Sequence, residues 1–241
     1  MLDNRLILFI KRFAIPRQNS IPMTSEIPFL SDRLAEAARY ALMRRLLPAI
    51  RHNIASSMQP VGMMAAMLER RMRVPAPDLS ELGKSSQALN VLSREAVAAS
   101  LNLMNWLAPK DNNPVAVNSG VEEALSLVGT DLSFRGFSIV NQTSDLRNCL
   151  PRGIFCSVFI ACVIALTDRA EAAADVVVSA EVNGNQTRLT IRLEPGGRAE
   201  LAAMDAPAQS YRILNWDDVQ ALADAEGVEL EFGMRQVWLR H

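Results

Sequence analysis

The chain has 241 residues and a mass of 26.5 kDa, with 49% apolar and 5% aromatic residues. This is enough apolar material for one large or two small domains with real cores, and it argues against disorder and a collagen-like chain. The charge is balanced, at 25 basic against 26 acidic side chains, which gives no electrostatic footprint for nucleic acid. Three cysteines without CxxC spacing indicate neither a disulfide framework nor a zinc site, so we expect a cytoplasmic protein.

Histidine is scarce in this chain, since only His52 and the C-terminal His241 are present. A mechanism that needs a histidine pair, a histidine-rich metal site or an ordered internal triad is therefore nearly excluded. What remains is the chemistry that a single internal histidine can perform.

Residues 1–28 carry a short apolar run, Leu6 to Ile10, in a basic context that is followed by three prolines. This run is far shorter than the roughly 20 apolar residues that a bilayer span needs, and no small-residue cleavage site follows it. We therefore expect a flexible tail without a membrane span. The alternatives are an interfacial anchor and a chain that starts at Met23.

Two long helices are predicted over residues 29–110. The first begins at the N-cap pair Ser31-Asp32 and runs to about Arg73, where the segment Val74 to Pro77 breaks it. The second begins near Asp78 and ends at Leu107, before a proline and a polar segment. Because only a few residues join them, the two helices make an antiparallel hairpin.

Apolar residues recur along both helices at alternating spacings of three and four, a pattern typical of coiled coils and four-helix bundles. The predicted seam consists of Leu47, Ile50, Ile54, Val61, Met64, Leu68, Leu89, Leu92 and Leu103. One hairpin supplies only two helices, so a homodimer would complete a four-helix bundle. The alternative is that both apolar stripes pack on the C-terminal region of the same chain.

Residues 111–241 follow a mixed α/β pattern. Strands are predicted at 115–117, 137–141, 175–182, 187–193, 228–232 and 236–239, and helices at 119–128, 152–167 and 215–225. Asn183-Gly184-Asn185 indicates a tight hairpin turn between two of these strands. The pattern predicts a mixed sheet covered on one face by helices, an α/β sandwich.

His52 lies at heptad position f when Leu47 is placed at a, so its side chain is predicted to point away from the seam. Its neighbours are Arg51, Asn53 and, one turn on, Ser56. A proline two turns on removes a helical hydrogen bond and bends the helix. On these residues alone, the simpler interpretation is an ordinary surface histidine beside an incidental kink.

The segment Arg51-His52-Asn53-Ile54-Ala55-Ser56-Ser57-Met58-Gln59-Pro60-Val61 resembles the H-box of sensor histidine kinases. In that family an acidic or amide residue follows the phospho-accepting histidine, a polar residue comes four places on, and a proline lies in the next turns. The hairpin resembles their dimerisation and histidine-phosphotransfer domain, and residues 115–241 resemble their ATP-binding sandwich. The resemblance therefore implies an intermolecular four-helix bundle followed by a histidine-kinase-ATPase-like α/β sandwich.

The departures from this family concern ATP. Asn53 stands where kinases usually carry a carboxylate base, and an amide cannot take a proton. Ala161 and Ala165 occupy the places where asparagines should hold the Mg-phosphate unit, and Leu193-Glu194-Pro195-Gly196-Gly197 lacks the aspartate and the glycine spacing of the nucleotide box. No glycine occurs between Arg198 and Leu214, where a lid is expected. We expect the sandwich to be retained and ATP binding to be lost, with no cofactor or metal held by this chain.

The resemblance implies a histidine phosphotransfer protein of two-component signalling. His52 would accept a phosphoryl group from the aspartate of one receiver domain and pass it to another, and the receiver would supply Mg²⁺. Asn53 and Ser56 would hydrogen-bond the phosphate or an attacking water, and Arg51 would neutralise charge or dock a receiver. The first alternative is a pseudokinase module that regulates a kinase or receiver without chemistry. The second is an active histidine kinase or a receiver phosphatase, although we do not expect autokinase activity.

Overall fold

The computed structural model describes residues 26–108, 112–144, 146, 148–184, 186–196 and 213–241. Residues 1–25 of the predicted tail and most of the segment predicted to replace the lid lie outside the described residues. Among the residues that are described, no helix combines the length and the apolar character that crossing a lipid bilayer requires. The same residues contain no cluster of three or more metal-ligating side chains.

The N-terminal part is a helical hairpin, as predicted. Helix α1 spans Glu26–Met72 and helix α2 spans Leu79–Leu107. The side chain of Asp78 caps α2 by accepting hydrogen bonds from the backbone N–H groups of Ser80 (2.8 Å) and Glu81 (3.3 Å). This cap satisfies N–H groups that have no partner inside the helix, which is why α2 begins where the sequence predicted.

Helix α1 begins at Glu26, earlier than the predicted start at Ser31-Asp32, so residues 26–28 of the predicted tail are helical. The prediction treated Pro28 as part of a tail. Pro28 instead lies in the first turn of α1, where a missing backbone N–H costs no helical hydrogen bond.

The C-terminal part consists of short strands and helices, close to the predicted positions. The elements are β1 (Pro114–Ala116), α3 (Val117–Phe134), β2 (Ser138–Asn141), β3 (Cys149–Pro151), a π-helical segment (Ile154–Phe159) that continues into α4 (Ile160–Asp168), β4 (Asp175–Asn183), β5 (Gln186–Glu194), α5 (Trp216–Glu226), β6 (Glu229–Phe232) and β7 (Gln236–Arg240). Helix α3 extends beyond its predicted range, and strand β3 and the π-helical segment were not predicted.

The main sheet has five strands in the order β2-β4-β5-β7-β6, and β1 pairs with β3 in a separate two-stranded sheet. Strands β2 and β4 are parallel, whereas the other neighbours in the main sheet are antiparallel. Gly184 lies at the β4–β5 turn with a φ of 61°, a conformation that glycine adopts without steric cost, and this confirms the predicted hairpin.

The core lies between one face of this sheet and the helices. Residues that alternate along β4, β5 and β7 are buried on that face: Val176, Val178, Leu189, Ile191, Val237 and Leu239. Phe155 and Phe159 fill the helical side and meet edge to face, with their ring centroids 6.4 Å apart. The predicted α/β sandwich is therefore confirmed, and the fold is a helical hairpin followed by this sandwich.

Candidate functional site

Helix α1 changes its packing partner along its length. Its first half is buried against the sandwich through Ala38, Leu42, Leu46 and Ile50. Its second half packs on α2, where Val61, Met64 and Leu68 are half-buried. His52 lies two residues after Ile50, the last of these buried apolar residues, so it is close to the junction between the two packing regions.

The His52 side chain is exposed, which agrees with the outward position predicted from the heptad pattern. Its Nε2 atom lies 3.4 Å from the hydroxyl oxygen of Ser56, one turn later on α1. Which of the two groups donates depends on the imidazole tautomer. The structure thus brings together an accessible ring nitrogen and one adjustable hydroxyl, two groups of the predicted site.

Asn53 and Arg51 lie on different sides of α1. The Asn53 side chain is half-buried, and its Nδ2 donates a long hydrogen bond of 3.5 Å to the carbonyl oxygen of Leu127 in α3. Arg51 is exposed. Asn53 therefore contacts the sandwich, while Arg51 lies on the accessible surface beside His52 in sequence.

Two prolines inside α1 bracket His52, namely Pro48 and Pro60. Proline has no backbone N–H, so the carbonyl groups of Arg44 and Ser56 lack their usual helical partners. Pro60 belongs to the H-box-like segment, whereas Pro48 was not singled out from the sequence. The backbone around His52 is consequently bounded by a missing hydrogen bond on each side.

The predicted seam residues divide among three environments. Ile50 belongs to the core that α1 forms with the sandwich. Val61, Met64, Leu68, Leu89, Leu92 and Leu103 are half-buried. Leu47 and Ile54 remain 47% and 41% exposed. Ile50 thus packs within its own chain, as the alternative of packing on the C-terminal region anticipated, while Leu47 and Ile54 are only partly covered by the single chain.

A cavity of about 410 Å³ opens beside this site, between α1, α2 and α3. Asn53 and Ser57 line it from α1, and Trp106 lines it from α2. An ion pair of 2.9 Å between Arg152 and Glu123 lies at its edge. Sequence reasoning missed this cavity, because its walls come from elements that are distant along the chain.

The structure describes some of the positions that the resemblance assigns to nucleotide binding. Ala161 and Ala165 are fully buried on α4. At the end of β5, a Cβ added to Gly196 would lie 2.6 Å from a carboxylate oxygen of Asp175, so this glycine is packed tightly against the neighbouring strand. The segment after β5 lies largely outside the described residues.

No family model matches the chain, and no curated protein matches its sequence. Solved structures that are similar include the Acinetobacter baumannii histidine kinase AdeS, at 16% identity over 73% of this chain and 93% of that chain, with a TM-score of 0.41. A histidine kinase from Burkholderia phymatum STM815 is 17% identical over 81% and 96% of the two chains, with a TM-score of 0.37. A bacterial phosphotransferase is 13% identical over 83% and 94%, also with a TM-score of 0.37. These values are too low to assign the chain to a family.

Proposed function

We propose that this chain is a histidine phosphotransfer protein of two-component signalling, in which His52 accepts a phosphoryl group from a receiver aspartate and passes it to another receiver. The observation that carries the proposal is the exposed imidazole on α1, whose Nε2 contacts Ser56 within the H-box-like segment. The protein acts in the cytoplasm as a homodimer and does not bind ATP.

The transfer step needs one nucleophilic nitrogen and no cofactor held by this chain. With its proton on Nδ1, the neutral His52 imidazole has a lone pair on Nε2, and this nitrogen attacks the phosphorus of the aspartyl phosphate. The nitrogen–phosphorus bond forms as the bond between phosphorus and the aspartate oxygen breaks, and the aspartate leaves as a carboxylate. The second transfer is the reverse step on another receiver. The receiver's Mg²⁺ and acidic site stabilise the charge on the transferring group.

The neighbours of His52 have separate roles in this proposal. The Ser56 hydroxyl, already in contact with Nε2, rotates to donate a hydrogen bond to a phosphoryl oxygen. The exposed Arg51 guanidinium attracts the acidic face of a receiver. Asn53 reaches the phosphate or a water only after releasing the Leu127 carbonyl, a bond that its length of 3.5 Å makes weak.

The loss of ATP binding is supported by the sandwich itself. Alanine at positions 161 and 165 offers no ligand for a Mg-phosphate unit, and Glu194 and Pro195 stand where an adenine-reading aspartate is expected. A phosphotransfer protein tolerates these losses, because its phosphoryl donor is another protein.

The deciding experiment incubates the purified protein with receiver domains that carry a radiolabelled phosphoryl group. The wild-type chain should acquire an acid-labile, base-stable label, the signature of a phosphohistidine. His52→Ala should acquire none. His241→Ala is the matched control, because it removes the only other histidine, and it should label like the wild type. Equal labelling of His52→Ala would end the phosphotransfer proposal, and labelling from Mg-ATP would favour an active histidine kinase instead.

The second candidate is an interaction module that binds a kinase or receiver without chemistry. The observation in its favour is that Asn53, the residue after His52, contacts Leu127 of the sandwich rather than the imidazole. If this candidate is correct, His52→Ala should bind receivers with unchanged affinity in a calorimetric titration, and the wild-type chain should take up no label.

A further inference from the structure

The firmest polar contact between α1 and the sandwich is a buried ion pair, formed by Arg45 and Asp168. Arg45 donates from Nε to one carboxylate oxygen at 3.0 Å and from a terminal nitrogen to the other at 2.9 Å. The two side chains are only 4% and 2% exposed. A bidentate pair of this kind fixes both the distance and the relative orientation of the two groups.

Two further charged residues complete a four-residue network. Arg135 lies 2.9 Å from the same Asp168 carboxylate and donates to the carbonyl oxygen of Thr167 at 2.8 Å. Asp131 lies 3.3 Å from the Arg45 guanidinium. The network has two positive and two negative side chains, so its formal charge is zero. This balance offsets the cost of removing the charges from water, which is otherwise high.

Additional contacts extend the same interface in both directions along α1. Arg39 pairs with Glu226 at the end of α5 at 3.4 Å, and Asn53 donates to Leu127 of α3. Between these polar contacts, the apolar side chains at positions 38, 42, 46 and 50 are buried. Helix α1 is thus held to three different helices of the sandwich over the segment that leads directly to His52.

From these contacts we infer that Arg45, Asp168 and Arg135 are positioning residues, which fix the sandwich against α1 so that His52 keeps one place relative to the sandwich surface. This inference rests on the proposed function. His52 follows Arg45 by two helical turns, roughly 10 Å along the axis. A receiver that approaches His52 therefore meets a preformed surface made by α1 and the sandwich together.

Large and small phosphoryl donors should differ in how strongly their reaction with His52 depends on this network. A receiver must fit the composite surface, so its reaction depends on the position of the sandwich. Phosphoramidate is small enough to need only the exposed imidazole. Loss of the network should consequently slow transfer from a receiver and leave phosphorylation by phosphoramidate unchanged.

The variant for this test is Arg45→Met combined with Asp168→Leu, which removes both charges and replaces each side chain by an apolar one of similar shape. Such a replacement avoids leaving one buried charge unpaired, the change that most often unfolds a protein. Arg45→Lys is the conservative companion, because it keeps the charge but cannot form the bidentate pair. All measurements are made well below the thermal midpoint of each variant.

We expect transfer from a phosphorylated receiver to fall about tenfold or more in the double variant, because misplacing reacting groups is costly. The transfer rate of Arg45→Lys should lie between those of the wild type and the double variant. Phosphoramidate should label all three proteins at the same rate. Unchanged receiver transfer in the double variant would overturn the inference, and so would an equal loss with both donors, since that would indicate damage at His52 itself.

A distance measurement tests the inference independently of the proposed function. Spin labels at Gln87→Cys on α2 and Gln186→Cys on β5, in a Cys149→Ser chain diluted with unlabelled chain, report the separation of hairpin and sandwich. We expect one narrow distribution of distances between the two labels in the wild type and a broader one in the double variant. An unchanged distance distribution would overturn the positioning role. If receivers fail to label even the wild-type chain, the proposed function fails while this measurement still decides the positioning role.

Discussion

Ser56 is the side chain that contacts the Nε2 atom of His52. Ser56→Ala removes the hydroxyl that we expect to hydrogen-bond the phosphoryl group, a contact of about 1 kcal/mol or roughly fivefold in rate. Single-turnover transfer from a labelled receiver measures the effect. Ser57→Ala is the control, because the Ser57 hydroxyl donates to the Ile54 carbonyl instead. Equal rates for Ser56→Ala and the wild type would remove Ser56 from the site.

Gly120 is the residue that permits the close approach of α3 to the π-helical segment. A Cβ at this position would lie 2.4 Å from a ring carbon of Phe155, which is buried in the core. Gly120→Ala should therefore lower the free energy of unfolding by about 1–3 kcal/mol, the usual cost of overpacking. Urea denaturation measures this difference.

Gly129→Ala in the same helix is the matched control for this prediction. An added Cβ there would meet Ile139 at 3.7 Å, an ordinary van der Waals contact. Replacing glycine by alanine in a helix interior should raise the free energy of unfolding by about 0.5–1 kcal/mol. A Gly120→Ala variant that gains stability in the same way would show that the Phe155 ring moves aside freely.

The π-helical segment and α4 each carry a thiol, the half-buried Cys156 and the buried Cys162. Burial raises the pKa of Cys156 to about 12, although Arg152 opposes this shift, and burial raises the pKa of Cys162 as well. Both thiols therefore stay protonated in the native state at pH values where an exposed thiol ionises. Cys149 on β3 is exposed.

Alkylation should follow this difference between the thiols. Iodoacetamide reacts with the thiolate, so at pH 8.5, near the ordinary thiol pKa, mass spectrometry should find Cys149 modified well before Cys156 or Cys162. Stability should also fall as the pH rises above about 9, since the unfolded chain then releases thiol protons that the native chain retains. Early modification of Cys162 would mean that α4 opens readily.

Elements with strong local signals were predictable, and elements defined by distant partners were not. Asp78 and the prolines before it fixed the start of α2, and Gly184 fixed the β4–β5 turn. Strand β3 is three residues long and is defined by its pairing with β1. It is too short to show the alternation of apolar and polar residues that predicts a strand. The π-helical segment at Ile154–Phe159 is apolar apart from Ser157, and such a run does not reveal which carbonyl each backbone N–H will bond.

In the candidate site too, the features set by local spacing were predicted and the contacts between distant residues were not. The exposure of His52 and its proximity to Ser56 follow from helical spacing within one element. The contact of Asn53 with Leu127 and the ion pair of Arg45 with Asp168 join residues that are far apart in sequence. The apolar repeat along α1 also did not predict that this helix packs first on the sandwich and then on α2, because the pattern shows which face is apolar but not which element packs against it.

Several apolar side chains of the hairpin are only partly buried in the single chain. Leu47, Ile54, Met58 and Met67 on α1 are 41–50% exposed, and Leu101 on α2 is 53% exposed. Their exposure supports the proposed homodimer, because two hairpins that pack together would bury them. Light scattering coupled to size-exclusion chromatography should therefore give the mass of a dimer.

Ile54→Asp tests which surface forms this dimer. A charge buried without a partner in an apolar interface is costly, so the variant should be monomeric at micromolar concentration. Val140→Asp is the control, since Val140 is also partly exposed but lies on the sheet, away from the hairpin. A wild-type monomer, or a dimer that tolerates Ile54→Asp, would contradict bundle formation through this surface.

Helix α1 packs on the sandwich with its first half and on α2 with its second half. This limits how the protein can be divided into fragments. A fragment that begins after α2 would lose the cover that positions 38, 42, 46 and 50 give to the sandwich, and Asp168 would lose its bidentate partner Arg45. A hairpin fragment would expose the same apolar stripe from the other side. We therefore expect neither half to be a well-behaved protein when it is expressed alone.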